Sequence, residues 1–272
     1  MIQVSAVVRT RDEEQHLGDV LRRLQEQTVP PSEIILVNNY SSDKRLGSFE
    51  ENMKKVAVSL KEKKIRVKLV SFPDREFSHP YSTNLGVFFA ENELVAIINA
   101  HALPVSSSWL GFGLRHFGDR KVACVTGYSY PLEKNKPLLK VSQYVYFFSE
   151  RIIVRFDWAS TVDCLIRKSL WQAYPFDENL PRVIPEARSY GCEDYDWSKE
   201  MEARGFKIVV DPQFSVFHSH GSGSEEGKRN VKNYLAQRAI LQIIDRFKRP
   251  RKSYTRLDKI NDLNVHVLEL DV

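Results

Sequence analysis

Residues 4–43 read VSAVVRTRDEEQHLGDVLRRLQEQTVPPSEIILVNNYSSD. Val4 to Val8 is short, apolar and β-branched, which predicts a strand. Asp12 then precedes an apolar stripe at Leu17, Val20, Leu21 and Leu24. That i, i+3, i+4, i+7 spacing predicts an amphipathic helix with Asp12 as its cap. Pro30 and Pro31 end it, and Glu33 to Val37 predicts a second strand whose unbroken apolar run suits a parallel sheet buried on both faces.

Outward from this unit the alternation continues, with helices expected about Leu46 to Leu60 and Tyr81 to Ala90 and strands at Ile65 to Val70 and Leu94 to Ile98. The series is βαβαβαβ, an α/β fold with a mostly parallel central sheet and helices on both faces. Beyond Pro104 the expectations are a helix from Trp109 to Phe117, a strand from Val122 to Thr126 and a loop from Pro131 to Pro137. An aromatic-rich helix from Leu138 to Phe156 follows, carrying Tyr144, Tyr146, Phe147 and Phe148 into the core or along an acceptor-side wall. Then come a strand from Cys164 to Arg167, a helix from Glu193 to Gly205 and a strand from Lys207 to Val210.

Length and composition, 272 residues at 42% apolar, allow one large α/β domain with a sizeable core. No basic stretch followed by a long apolar run marks the N-terminus for export, and no run reaches the ~18 apolar residues of a spanning helix, so the expected location is cytoplasmic. Cys124, Cys164 and Cys192 have neither zinc-site spacing nor an even count for a disulfide framework; they read as reduced, buried thiols.

In an open α/β sheet, ligands bind beyond the carboxyl ends of the strands. Those ends carry Arg9, Thr10, Arg11, Asp12, Glu13 and Glu14 after the first strand, Asn38 to Asp43 after the second, and Asn99, Ala100 and His101 after the fourth. Their order and spacing resemble family 2 glycosyltransferases. Thr10 to Glu13 matches a Thr-x-Asn-Glu type segment, and Asn38 to Asp43 matches Asp-Asp-x-Ser-x-Asp. The likeness runs over about Ile2 to Gly221.

The resemblance implies a GT-A fold and transfer of a sugar, of hexosyl or rhamnosyl type, from a nucleotide-sugar donor with inversion. It implies donor contacts at Thr10, Arg11, Glu13, Asn38, Asn39, Arg75, Asn84 and Asn99. The family's Asp-x-Asp, whose carboxylates hold Mg²⁺ or Mn²⁺ against the donor diphosphate, is replaced here by Asn99, Ala100 and His101. Imidazole is a good Mn²⁺ ligand, so the expected metal set is His101 with His218 and His220. The segment from Gly191 to Trp197 resembles the Glu-Asp motif of inverting members, which assigns Asp194 as general base and Glu193 as a positioning group. Acids in a first helical turn also serve the helix dipole, the plainer reading of these two.

Domain boundaries are expected at 1–224 for the catalytic domain, with a donor half about 1–104 and an acceptor half about 105–224, and at 225–272 for a basic tail. From Glu225 to Arg256 there are ten Lys or Arg against three Asp or Glu, and Ala236, Ile240, Ile243, Ile244 and Phe247 recur at helical spacing. A basic amphipathic helix of this kind either packs on the domain or lies on an anionic membrane, where a lipid-linked acceptor for a polysaccharide or glycolipid would also reside. The second choice makes the protein peripheral on the inner face of the membrane. Nucleic acid is not expected as a partner, since no recognition motif accompanies the charge. Two other functions compete: a nucleotide-sugar-binding protein without catalysis, and a sugar nucleotidyltransferase, whose glycine-rich basic N-terminal loop is absent.

Overall fold

The computed structural model describes residues 2–12, 14–130, 138–140, 145–148, 151–155, 157–218 and 235–270. Among them the strands are β1 (Val4–Arg11), β2 (Glu33–Tyr40), β3 (Arg66–Pro73), β4 (Leu94–Asn99), β5 (Ala102–Pro104), β6 (Val122–Thr126), β7 (Tyr128–Tyr130), β8 (Leu138–Lys140), β9 (Val145–Phe148), β10 (Arg151–Arg155), β11 (Asp163–Arg167), β12 (Lys207–Val210), β13 (Val216–His218) and β14 (His266–Glu269). The helices are α1 (Leu17–Gln25), α2 (Asp43–Glu62), α3 (His79–Phe89), α4 (Trp109–Leu114), α5 (Lys168–Ala173), α6 (Leu180–Val183), α7 (Ala187–Tyr190), α8 (Glu193–Ala203) and α9, which spans 235–244.

β1 lies between β2 and β4, parallel to both, with Val7 opposite Ile35 and Ile97. The main sheet runs β12-β6-β11-β4-β1-β2-β3-β14 and a smaller one β5-β13-β7-β10-β9-β8. Successive side chains of a strand alternate between faces, and both faces of β1 are covered. Val8 joins Leu36, Leu21 and Leu24 of α1, and Phe49 and Met53 of α2, in one apolar cluster. Val7 joins Val37, Tyr81 and Leu85 of α3, and Trp197 and Met201 of α8, in the other. α3 approaches β1 so closely that a Cβ on Gly86 would stand 2.2 Å from a Val7 methyl. Chain order along the sheet reverses between β1 and β4, which puts the crevice for a ligand at their carboxyl ends.

Two expectations change. Asp12 does not cap α1, whose preceding residue His16 makes no side-chain cap. Asp12 instead takes a left-handed φ of 50° and accepts hydrogen bonds from the Ser41 N–H at 3.0 Å and the Ser41 hydroxyl at 2.8 Å, stitching the ends of β1 and β2 together. The expected helix over 138–156 is three antiparallel strands, β8, β9 and β10. Its β-branched and aromatic residues fit a pleated surface better than a helix. The side chains of Tyr144, Tyr146, Phe147 and Phe148 lie outside the described residues.

The tail packs on the body of the protein. α9 buries Ile240 and Ile244 against Leu180, Ile184, Ala187 and Cys192, while Leu235 and Ile243 stay exposed. Arg249 donates to Asp196 at 2.8 Å and to Glu200 at 3.0 Å, and Arg251 donates to Asp196 at 2.8 Å and Asp177 at 3.2 Å. Arg256 donates to Glu178 at 2.8 Å and covers the Tyr81 ring at 3.6 Å. The chain then adds β14 to the free edge of β3. No helix among the described residues is long and apolar enough to cross a membrane. All three cysteines are free and buried.

Candidate active site

An arginine at the sixth position of a largely buried strand must find partners for its charge. Arg9 finds three. It donates from Nη1 to the Thr83 hydroxyl at 2.7 Å, and from Nη2 to the Asn99 amide oxygen at 2.6 Å and the Thr161 carbonyl at 2.7 Å. Thr83 is buried on α3, and its hydroxyl donates a hydrogen bond to the His79 carbonyl at 2.9 Å. One guanidinium therefore ties β1, β4, α3 and the segment before β11 at the switch point. Burial lowers its pKa from the ordinary arginine value, and the charges of Glu193 and then Asp194 oppose that shift.

Those two acids begin α8. The turn before them is tight, with Gly191 at φ 73° and Cys192 at φ 76°. Only glycine adopts this conformation without strain, and a Cβ at 191 would also meet Glu193 Oε2 at 2.8 Å. Asp194 Oδ2 accepts the Thr161 N–H at 3.1 Å, which places the carboxylate beside the peptide that holds Arg9. Burial first, and the adjacent Glu193 second, push the Asp194 carboxyl up to about 7. A carboxyl titrating there suits proton transfer near neutrality. Glu193 is 2% exposed, its Oε2 has no hydrogen-bond partner among the described protein groups, and burial raises its pKa as well. His79 lies beside Gly191, and burial followed by the Arg9 charge lowers its pKa to about 4, so it is neutral at pH 7.

The expected donor residues divide. Arg11 donates to Asp74 at 2.7 Å, and Asn39 donates to the other oxygen of the same carboxylate at 2.6 Å, forming a polar rim over the ends of β1, β2 and β3. Thr10 is buried behind it. Asn38 is fully buried on the opposite face, with neither amide atom hydrogen bonded to a described group. Arg75 is exposed on the turn after β3. Asn84 faces inward. Its amide donates to the Phe176 carbonyl and Glu178 and accepts from the Trp171 indole and the Phe176 N–H, so its capacity is consumed in packing α3 against 171–178. Glu13 lies outside the described residues.

The expected metal ligands assemble only in part. His101 Nδ1 is 2.5 Å from Glu14 Oε2, and the His101 and His218 rings stack face to face at 4.9 Å between centroids, 28° apart. His220 lies outside the described residues. Among the described residues no group of three or more His, Cys, Asp or Glu side chains is placed to hold a metal ion. The donor chemistry at 99 also fits a divalent ion poorly, because the amide oxygen is neutral and already accepts from a guanidinium at 2.6 Å. Like charges this close repel strongly in a partly buried site.

The sequence placed Arg9 and Glu14 at the end of the first strand without assigning either a role, and gave no role to Thr83, Thr161 or Asp74. Arg9 alone had a readable signal, a fixed charge in a strand buried on both faces.

Comparison with known proteins agrees with this architecture. In structure the chain resembles the mannosyltransferase PcManGT from Pyrobaculum calidifontis in complex with GDP-Man and Mn²⁺, with TM-score 0.61 and 16% identity over 91% of this chain and 66% of that one. It also resembles residues 1-349 of S. aureus TarS in complex with UDP, at TM-score 0.54 and 15% identity over 89% and 65% of the two chains. The same TarS region in complex with UDP-GlcNAc gives TM-score 0.54 and 13% identity over 88% and 65%. The chain thus spans just under two thirds of these neighbours' lengths, and the likeness establishes a common GT-A fold. No curated protein matches in sequence. Residues 5–165, more than half of the chain, match the family described as Glycosyl transferase family 2, and the chain belongs to that family.

Proposed function

We propose that this protein transfers a sugar from a nucleotide-sugar donor to an acceptor hydroxyl with inversion at the anomeric carbon. The observation that carries the reading is the meeting of Asp194 with the carboxyl ends of β1 and β4, through Thr161 and Arg9. The donor lies across that crevice with its nucleotide toward Arg11, Asn39 and Asp74. Asp194 accepts the acceptor's proton as the new C–O bond forms, and the bond from the anomeric carbon to the diphosphate breaks with its electron pair on the leaving oxygen. Glu193 holds the turn that aims Asp194. Partly buried Trp158, edge-on to Tyr195 at 5.3 Å, offers an apolar surface beside the base for the acceptor sugar.

Release of free nucleoside diphosphate from a panel of GDP-, UDP- and dTDP-sugars, with a saccharide acceptor mixture, tests this reading. Release confirms a transferase. Release of pyrophosphate identifies a nucleotidyltransferase, and binding without release identifies a carrier.

The acceptor we favour is a lipid-linked polysaccharide or glycolipid precursor at an anionic membrane surface. Its support is the basic face left after α9 has packed, with Arg238, Arg246 and Lys248 exposed beside Leu235 and Ile243. Each such cation is worth about 1 kcal/mol at an anionic leaflet. Replacing all three by serine should therefore weaken sedimentation with phosphatidylserine vesicles by about a hundredfold. Equal sedimentation of wild type and variant removes the membrane from the reading. Deleting the tail is unsuitable for this test, since it strips Arg249 and Arg251 from buried acids.

A further inference from the structure

We propose that Arg9 is the resident cation of the donor site, binding the diphosphate directly so that nucleotide binding needs no divalent ion. The inference deepens the sugar-transfer reading and rests on it. Arg9 stands in register with Asn99 on β4, at the strand ends where a donor diphosphate would lie. All three of its hydrogen bonds go to neutral oxygens, those of Thr83, Asn99 and Thr161. These bonds fix the plane of the guanidinium without cancelling its charge. A guanidinium has five donors, so two remain, and Nε–H is buried with no acceptor among the described protein groups. An oxygen supplied from outside the protein would satisfy it. Arginine's planar fork matches phosphate, and its charge persists throughout the working pH range.

The amide at 99 fits the same scheme. A carboxylate in that place would pair with Arg9 at 2.6 Å and quench the charge, whereas an asparagine oxygen orients the guanidinium and leaves the charge for the ligand. As the glycosyl bond to the diphosphate breaks, the leaving group gains negative charge on its oxygens, and the fixed cation meets that charge without an ion having to bind first.

Calorimetric titration with UDP, GDP and dTDP, in EDTA and in Mn²⁺, tests the proposal independently of turnover. Wild type should bind its preferred diphosphate equally well in both, within about twofold. Arg9→Met should weaken that diphosphate by tenfold or more and leave the affinity for the matching nucleoside unchanged. Asn99→Asp, which is nearly isosteric and guards against misfolding of the arginine variant, should also weaken the diphosphate in EDTA. Binding that requires Mn²⁺, an Asn99→Asp variant that binds more tightly with Mn²⁺, or an unaltered Arg9→Met overturns the role of Arg9 while the donor-site reading stands. No binding of any nucleotide to wild type overturns both.

Discussion

Asp194→Asn should lower turnover by about two to four orders of magnitude while leaving donor affinity in place. The amide keeps the size of the carboxylate and can still accept from the Thr161 N–H, the bond that Asp194 makes at 3.1 Å, but it cannot take up the acceptor's proton. Steady-state rates beside donor titrations separate the two effects, and a variant retaining more than about a tenth of the wild-type rate would put the base elsewhere. Because burial and then Glu193 push this carboxyl up to about 7, the wild-type rate should rise with pH through that value as the base loses its proton.

The same shift has a signed effect on stability. The folded carboxyl holds its proton more tightly than the unfolded one, whose ordinary value is near 3.8. Its contribution is therefore fully present below pH 3.8 and is lost as pH rises through about 7. Asp194→Asn removes the cost of an ionised carboxylate at that position. Thermal melts should show the variant more stable than wild type at pH 8 and matched to it at pH 4, a trade of activity for stability. The reverse order at pH 8 would mean that Asp194 is stabilised, rather than strained, by its charge.

The second large effect is on folding. Arg249→Met should destabilise the protein by about 3–5 kcal/mol, the usual cost of stranding a buried charge. Asp196 and Glu200 are fully buried on α8, and Arg249 bonds to both. Arg251 still reaches Asp196, and Arg204 still reaches Glu200, which argues for the lower half of that range. Because α8 also carries Glu193 and Asp194, loss of this tether should lower activity before the protein unfolds. Denaturant midpoints of Arg249→Met against the exposed control Arg238→Met decide it. The control should stay within about 0.5 kcal/mol of wild type, and equal midpoints for all three would detach the tail from the stability of the domain.

The residues by themselves determined the parallel core. The apolar runs of β1, β2 and β4 and the stripe of α1 are local patterns, written in the 2.0 and 3.6 periods of the backbone, and every residue of that stripe is buried in the cluster expected of it. The acidic start of α8 was legible for the same reason, as a charged first turn after a glycine. Local period says nothing about partners far along the chain. At Asn84 the fold brings residues 171–178 against α3 and uses all four of its hydrogen bonds, which no local pattern foretells. The pattern of the basic tail allowed packing on the domain or on a membrane, and only the fold brought Arg249 and Arg251 to the buried acids of α8, some fifty residues earlier. Arg9 acquired its place only when Thr83, Asn99 and Thr161 converged on it from three elements. A charge buried at the end of a strand demands partners, and only the closing of the sheet decides which residues supply them.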